Sequence, residues 1–273
     1  MTVKEKYEII KKELTLLHSE IGKPKIVLGL SGGVDSAVVA ALVADILGKE
    51  YLIAVNMPTV HNSDKTQDLA KQIAENLGLE YSSLNIQDIL DLMVEKLFVD
   101  SDIEKGNLAA RIRNNVLQTI ATAKNGVVVC NTNKLEYMTG YTTYPDIGFC
   151  SPIGDLTKME VFEMAEYLNN KFDKNVIPQK LLPNENMELE VFPSAELEEG
   201  QKDPFMFGLD CELIDYVSGY NYLDDGMIKP LISKWGEIYN IKNVNDRFLY
   251  LKKLYEKSHF KRQQSPPIIK LKE

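Results

Sequence analysis

No apolar run in this 273-residue chain approaches the roughly 18 residues that a membrane-spanning helix requires, so a membrane partner is not expected. The first twenty residues also lack the unbroken apolar centre of a secretion signal. Lys4, Glu5, Lys6, Lys11, Lys12, Glu13 and Glu20 interrupt Ile9, Ile10, Leu14, Leu16 and Leu17, and this spacing predicts an amphipathic helix. Cysteine is scarce: Cys130, Cys150 and Cys211 are an odd set of three with no Cys-x-x-Cys pair. Neither a disulfide framework nor a zinc site is indicated, and a reducing cytoplasm is the expected location. Three histidines without metal-ligand spacing add no case for zinc. Basic residues are outnumbered 31 to 40, for a net charge of −9. That balance argues against a broad nucleic-acid or membrane surface, leaving Lys257 to Arg262 as the one basic cluster.

What is present is alternation. Lys25 to Leu30 is a short, uniformly apolar run, as expected of a strand buried on both faces of a parallel sheet. A Gly-rich turn follows, then a helix over Ala37 to Leu47 closed by Gly48. The pattern repeats with strands at Tyr51 to Met57, Glu80 to Ile86 and Gly126 to Cys130. Helices are predicted at Asp64 to Asn76 and near 87–98 and 106–124. The fold class is therefore α/β, a doubly wound parallel sheet with flanking helices and ligands at the carboxyl ends of its strands. The loops after Leu30, Met57 and Cys130 should line one site. Asn184 to Phe207 shows little periodicity and is predicted to be a mobile loop, while 209–257 reads as small helices. Residues 1–273 are read as a single domain.

The turn after the first strand is Ser31-Gly32-Gly33-Val34-Asp35-Ser36. Glycines let backbone approach phosphates, the Ser31 and Ser36 hydroxyls add donors, and a following helix N-terminus adds partial positive charge. A carboxylate among phosphates is repulsive unless a cation intervenes, so Asp35 points to magnesium. The alternative role for Asp35 or Ser36 is a helix N-cap. The loop lacks the lysine of a Walker motif and the Gly-x-Gly-x-x-Gly of dinucleotide folds.

The hexamer resembles the signature of the PP-loop ATP pyrophosphatases, whose fold is of the adenine nucleotide alpha hydrolase type. Further segments resemble the NAD synthetases of that superfamily, in the same order along nearly the whole chain. They are Gly106-Asn107-Leu108-Ala109-Ala110-Arg111-Ile112-Arg113, Asn133-Lys134-Leu135-Glu136 with Gly140-Tyr141, and Pro152-Ile153-Gly154-Asp155-Leu156-Thr157-Lys158. Pro193-Ser194-Ala195-Glu196-Leu197 with Gly200-Gln201-Lys202-Asp203, and Lys261-Arg262-Gln263, complete the set. The resemblance implies an ammonia-dependent ligase: the carboxylate of deamido-NAD attacks the α-phosphate of ATP, pyrophosphate leaves, and ammonia displaces AMP. It implies Mg2+ on Asp35 and Glu136, catalytic roles for Asp35 and Lys158, and ATP contacts from Gly29, Ser31, Gly32, Gly33, Asp35, Ser36, Asn131, Thr132, Lys158 and Ser194. A homodimer is implied as well. With no large glutaminase segment in this length, free ammonia or a separate glutaminase should supply the nitrogen.

Departures from the family pattern cluster at the substrate end. Asn131 replaces an ATP-contacting threonine, which is mild because an amide also donates and accepts. The stretch Thr142-Thr143-Tyr144-Pro145-Asp146 is one residue short and lacks the family lysine, Phe149 stands where an acid is usual, and Phe260 precedes Lys261 where histidine is usual. Arg111, Tyr144, Phe149, Phe260 and Lys261 are therefore the expected substrate-binding residues. A different small carboxylate, and a tRNA-modifying activity, are the alternatives. Arg113 reads as a surface salt-bridge partner, Ser63 or Asp64 as a helix N-cap, and the cysteines near the site as buried structural residues rather than sulfur carriers.

Overall fold

A computed structural model of the chain describes residues 1–191, 204–217 and 223–263. Four strands, β1 (Lys25–Gly29), β2 (Leu52–Asn56), β3 (Glu80–Ser83) and β4 (Gly126–Val128), form a parallel sheet in the order β3-β2-β1-β4. Ile26 lies opposite Leu52, and Val27 opposite both Ile53 and Val128. The chain builds outward from β1 in one direction and then returns to its other side. The switch point therefore falls between β1 and β4, where such sheets open a crevice.

Alternate residues of the strands feed two cores. Ile26, Leu28, Leu52 and Ala54 face the layer made by α1 (Val3–Glu20), α2 (Val34–Ile46), α3 (Asp64–Leu77) and α7 (Lys158–Lys171). Val27, Ile53, Val55 and Val128 face α4 (Gln87–Leu97) and α5 (Asp102–Ala123). Helix α2 is apolar nearly all round because it lies under α1, α3 and α7 as well as the sheet. Amphipathic α1 needs only one buried face, and Thr2 and Glu5 close its start as a reciprocal capping box.

Element boundaries differ from the predicted ones where capping decides them. Helix α5 starts at Asp102 rather than near 106, because Ser101 and Glu104 form a capping box. Helix α2 starts at Val34, inside the predicted loop, because Gly33 serves as its N-cap. The second half of the hexamer is thus the first helical turn. Ser63 caps α3, accepting from the Thr66 amide at 3.2 Å, and Gly78 closes it in the left-handed conformation.

Beyond α6 (Lys134–Thr139) and α7, the helices α8 (Phe207–Val217), α9 (Asp225–Tyr239), α10 (Val244–Lys257) and α11 (His259–Arg262) follow. Helices α8, α9 and α10 share a further core around Leu209, Trp235, Phe248 and Leu251. A Cβ on Gly208 would lie 2.2 Å from the Trp235 ring, so only glycine permits that packing. Fully buried Asp210 receives a two-point pairing from Arg247, tying α8 to α10. Of the segment 184–207 read as mobile, Asn184 to Val191 and residues 204–207 are described. Leu189 and Val191 pack against the main core, and Phe205 and Phe207 are buried. Residues 192–203, with Ser194 among them, lie outside the described residues.

Candidate active site

A cavity of about 820 Å3 opens at the carboxyl ends of β1, β2 and β4, lined by Gly29, Met57, Cys130 and the loops that follow them. The volume is within the range of small-molecule sites. All three loops expected from the sequence therefore meet at one place.

At its floor the phosphate loop is held by its own hydroxyls. The Ser36 hydroxyl donates to the Gly33 carbonyl at 3.0 Å, lies 3.1 Å from the Ser31 hydroxyl and receives the Ser31 amide at 3.3 Å. The Ser31 hydroxyl accepts the Gly33 amide at 3.2 Å. Gly32 has φ +90°, and a Cβ there would lie 2.1 Å from the Thr66 carbonyl oxygen. Conformation and the close approach of α3 both demand glycine.

Asp35, in the first turn of α2, points to the start of α7, where Lys158 follows the N-cap Thr157. The Lys158 ammonium donates to Asp35 Oδ2 and lies 3.5 Å from Glu136 Oε1. The lysine is 2% exposed and each carboxylate 19% exposed. A buried ammonium is strongly unfavourable without compensation, and two carboxylates supply it. Asn133 organises the pair. Its side chain donates to Asp35 Oδ1 at 3.1 Å and caps α6 by accepting the Glu136 amide at 3.1 Å, while the Asn133 amide donates to Glu136 Oε2. This residue carries no role in the sequence reading, although the Asn-x-x-Glu capping spacing is legible there.

The described residues form no cluster of three or more His, Cys, Asp or Glu able to hold a metal by themselves. Asp35 and Glu136 nevertheless fit magnesium: hard carboxylate oxygens converge on one cation, and this ion is commonly held by one or two carboxylates, with water and substrate phosphates completing its shell.

On the β4 side, Asn131 donates to the Gly29 carbonyl over 3.5 Å, and Thr132 donates to Asp146 Oδ2 at 2.5 Å. Cys130 is buried beside Asp146, and burial foremost, then that carboxylate, raises its thiol pKa. Burial pushes the Cys150 thiol up to about 12. Both stay as thiols near neutrality, unsuited to sulfur transfer.

The expected substrate residues divide into two groups. Arg111 donates to the Tyr144 carbonyl at 3.2 Å, and the Tyr144 ring meets Phe260 edge-on at 5.7 Å between centroids. Lys261 lines the cavity and donates to the Gly140 and Thr142 carbonyls at 2.8 and 2.7 Å. Burial first, and then Arg111, lowers its pKa. Four of the five thus gather in one cluster, which meets the cavity wall at Lys261. Phe149 does not: it is half-buried and packs against the core on the α2 and α7 side. Arg113 also differs from its reading as a surface partner. It lines the cavity, donating to the Met57 carbonyl at 2.9 Å and to Asn62 Oδ1 at 3.1 Å. Its position two residues from Arg111 on α5 hides this, since side chains two apart on a helix diverge.

A doubly wound sheet with a Ser-Gly-Gly-x-Asp-Ser loop at its switch point defines a PP-loop nucleotide-binding protein. The description of the family model matching residues 3–265 is NAD synthase. Similar curated proteins include the NH(3)-dependent NAD(+) synthetases of Archaeoglobus fulgidus (36% identical, 93% of this chain and 92% of that one) and Fusobacterium nucleatum (32%, 100% and 98%). The glutamine-dependent NAD(+) synthetase of a Synechocystis species is 35% identical over 93% of this chain, which spans 44% of that longer protein. Among solved structures, the NH3-dependent NAD synthetase of Campylobacter jejuni superposes with a TM-score of 0.73 at 26% identity, covering 99% of this chain and 100% of that one. The NMN synthetase of Francisella tularensis shares the fold, with a TM-score of 0.75 at 23% identity, covering 98% and 99%. The chain belongs to the NAD synthase family.

Proposed function

We propose that this chain is an ammonia-dependent NAD synthetase. It adenylates the nicotinate carboxylate of deamido-NAD with ATP, releases pyrophosphate, and transfers ammonia to the activated carbonyl to give NAD. The observation that carries this reading is the buried Lys158 ammonium shared by Asp35 and Glu136 next to the phosphate loop. Adenylation needs positive charge where a phosphoryl group is attacked and pyrophosphate departs, and a dry, prearranged cation there costs no reorganisation during reaction. Ser31, Gly33 and Ser36 offer backbone and hydroxyl groups to the polyphosphate, and α2 directs its N-terminus at it.

Asp35 and Glu136 would hold Mg2+, whose chemistry is to neutralise phosphate charge and polarise the phosphoryl oxygens. Asn133 keeps both carboxylates oriented. Arg111 and Lys261 place positive charge on the opposite rim, suited to an anionic dinucleotide, with the Tyr144 and Phe260 rings beside them for the pyridine. Ser194 remains an expected ATP contact, and Phe149 supports this rim only through the core.

A homodimer is part of the same reading. Leu84, Ile89, Leu92, Leu97, Phe98 and Ile103 are exposed on the α4–α5 side of the molecule, and Ile103 also lines the cavity. An apolar face of this kind favours burial against a second copy and would bring the subunit boundary to the substrate site. Near-complete coverage of the NH(3)-dependent relatives supports ammonia as the direct donor, from solution or from a separate glutaminase. A cytoplasmic setting suits the three free thiols.

The test is substrate-dependent exchange of labelled pyrophosphate into ATP across a panel of small carboxylates, with amide formation from ammonium and from glutamine. Exchange and NAD formation with deamido-NAD and ammonium are expected. Exchange only with another acid would replace the substrate, and no exchange with any acid would defeat the adenylation reading.

A further inference from the structure

Among the described residues, the cavity wall carries Lys65, Arg113, Lys158 and Lys261 against Asp35, Glu136, Asp146 and Glu190, a balance of four cations and four anions. A polyphosphate entering this wall brings net negative charge even when partly neutralised by a divalent ion. It therefore needs a cation that can leave its present partner. Lys158 is buried between two carboxylates, Arg113 is tied to the Met57 carbonyl and Asn62, and Lys261 holds the Gly140 and Thr142 carbonyls. Lys65 is different. Its ammonium pairs with Glu190 at 3.0 Å, and the two side chains are 47% and 63% exposed. Such a pair is weak in water and exchanges readily, whereas an ammonium–phosphate contact is charge-assisted on both sides.

Position adds to this. Lys65 immediately precedes Thr66, whose carbonyl oxygen is the atom that excludes a Cβ at Gly32. The first turn of α3 is thus packed against the centre of the phosphate loop, and Lys65 lies on the cavity side of that contact.

We propose that Lys65 is a further polyphosphate-binding residue, and that Glu190 holds its ammonium until ATP takes it. Binding exchanges the Lys65–Glu190 pair for Lys65–phosphate, and departure of pyrophosphate restores it. Glu190 accordingly competes with both nucleotide and product. The inference rests on the ATP-cleaving reading of this cavity.

The test uses the full chain, with ATP and inorganic pyrophosphate as probes. Lys65→Met is expected to raise the KM for ATP and the inhibition constant of pyrophosphate together, each by about tenfold, with the KM for the carboxylic acid unchanged. Lys65→Arg restores both constants. Glu190→Gln moves them the other way, tightening ATP and pyrophosphate. Lys71→Met, which removes an exposed ammonium on the same helix paired with Glu75, is the control for helix stability and surface charge. Unchanged ATP and pyrophosphate constants in an active Lys65→Met protein would overturn the proposal and leave the adenylation reading intact. So would equal shifts in Lys71→Met. A wild-type protein that neither exchanges pyrophosphate nor consumes ATP would overturn the reading on which the proposal rests.

Discussion

Lys158 has its charge removed from water and returned by two neighbours, and the consequences of losing each partner differ. Lys158→Met leaves Asp35 and Glu136 facing one another in a largely dry site. A destabilisation of about 3–5 kcal/mol is expected, as when one partner of a buried ion pair is deleted. Urea denaturation measures it, and turnover should vanish with it. Asp35→Asn and Glu136→Gln keep shape and hydrogen bonding but lose the charge. Their folds should survive by circular dichroism while turnover falls by about 10²–10³-fold, the scale of removing one charge-stabilising group from an active site. Near wild-type turnover in both would remove these carboxylates from the mechanism. Asp35 and Glu136 are legible in the sequence from their motifs. That Lys158 neutralises both, and that Asn133 aligns them, is not, because α2, α6 and α7 meet only in the folded chain.

At the scale of elements, α7 presents Lys158 correctly only if its first turn is fixed. Thr157 and Glu160 form a capping box, and Glu160 also pairs with Lys6 from α1. Thr157→Ala should cost about 1 kcal/mol, the usual loss of an N-cap. Burial pushes the Glu160 pKa up, but its hydrogen bonds to Lys6 and Thr157 outweigh that and hold it below the ordinary 4.5. The folded pKa lies below the unfolded one. The stabilisation is therefore present above the ordinary glutamate range and is lost as pH falls through the lowered value. Glu160→Gln should reduce stability at pH 7 and flatten the acid limb of a urea-stability profile taken from pH 7 down to 3. An acid limb identical to wild type would show that the link between α1 and α7 contributes nothing. The sequence shows α1 through its periodicity, yet the contact between Lys6 and Glu160 spans 154 positions and has no local signature.

For the whole molecule, the exposed α4–α5 face predicts self-association. Phe98, at 87% exposure, is its most exposed side chain, and Leu92 on α4 is 56% exposed. Sedimentation velocity should show a dimer for the wild type and a monomer for Leu92→Glu combined with Phe98→Glu, with weakened use of deamido-NAD because the cavity borders that face. A wild-type monomer at micromolar concentration would remove the dimer from the proposal.

Local chemistry decided much of this protein before any folding is considered. Short, largely apolar strands alternating with helices determine a doubly wound parallel sheet, and a Ser-Gly-Gly-x-Asp-Ser turn after the first strand determines a glycine-rich, hydroxyl-bearing loop at the head of the next helix. These are short-range consequences of periodicity and backbone freedom. Three-dimensional packing decided which residues act together. It carried Arg113 from an assumed surface position to the cavity wall, packed Phe149 against the core, gathered Arg111, Tyr144, Phe260 and Lys261 in one cluster, and set Lys65 beside the glycine-rich loop. The physical reason is that a side chain's direction depends on helix phase and on partners distant in sequence. The charge balance of the cavity exists only once β1, β2 and β4 bring their loops to the same edge.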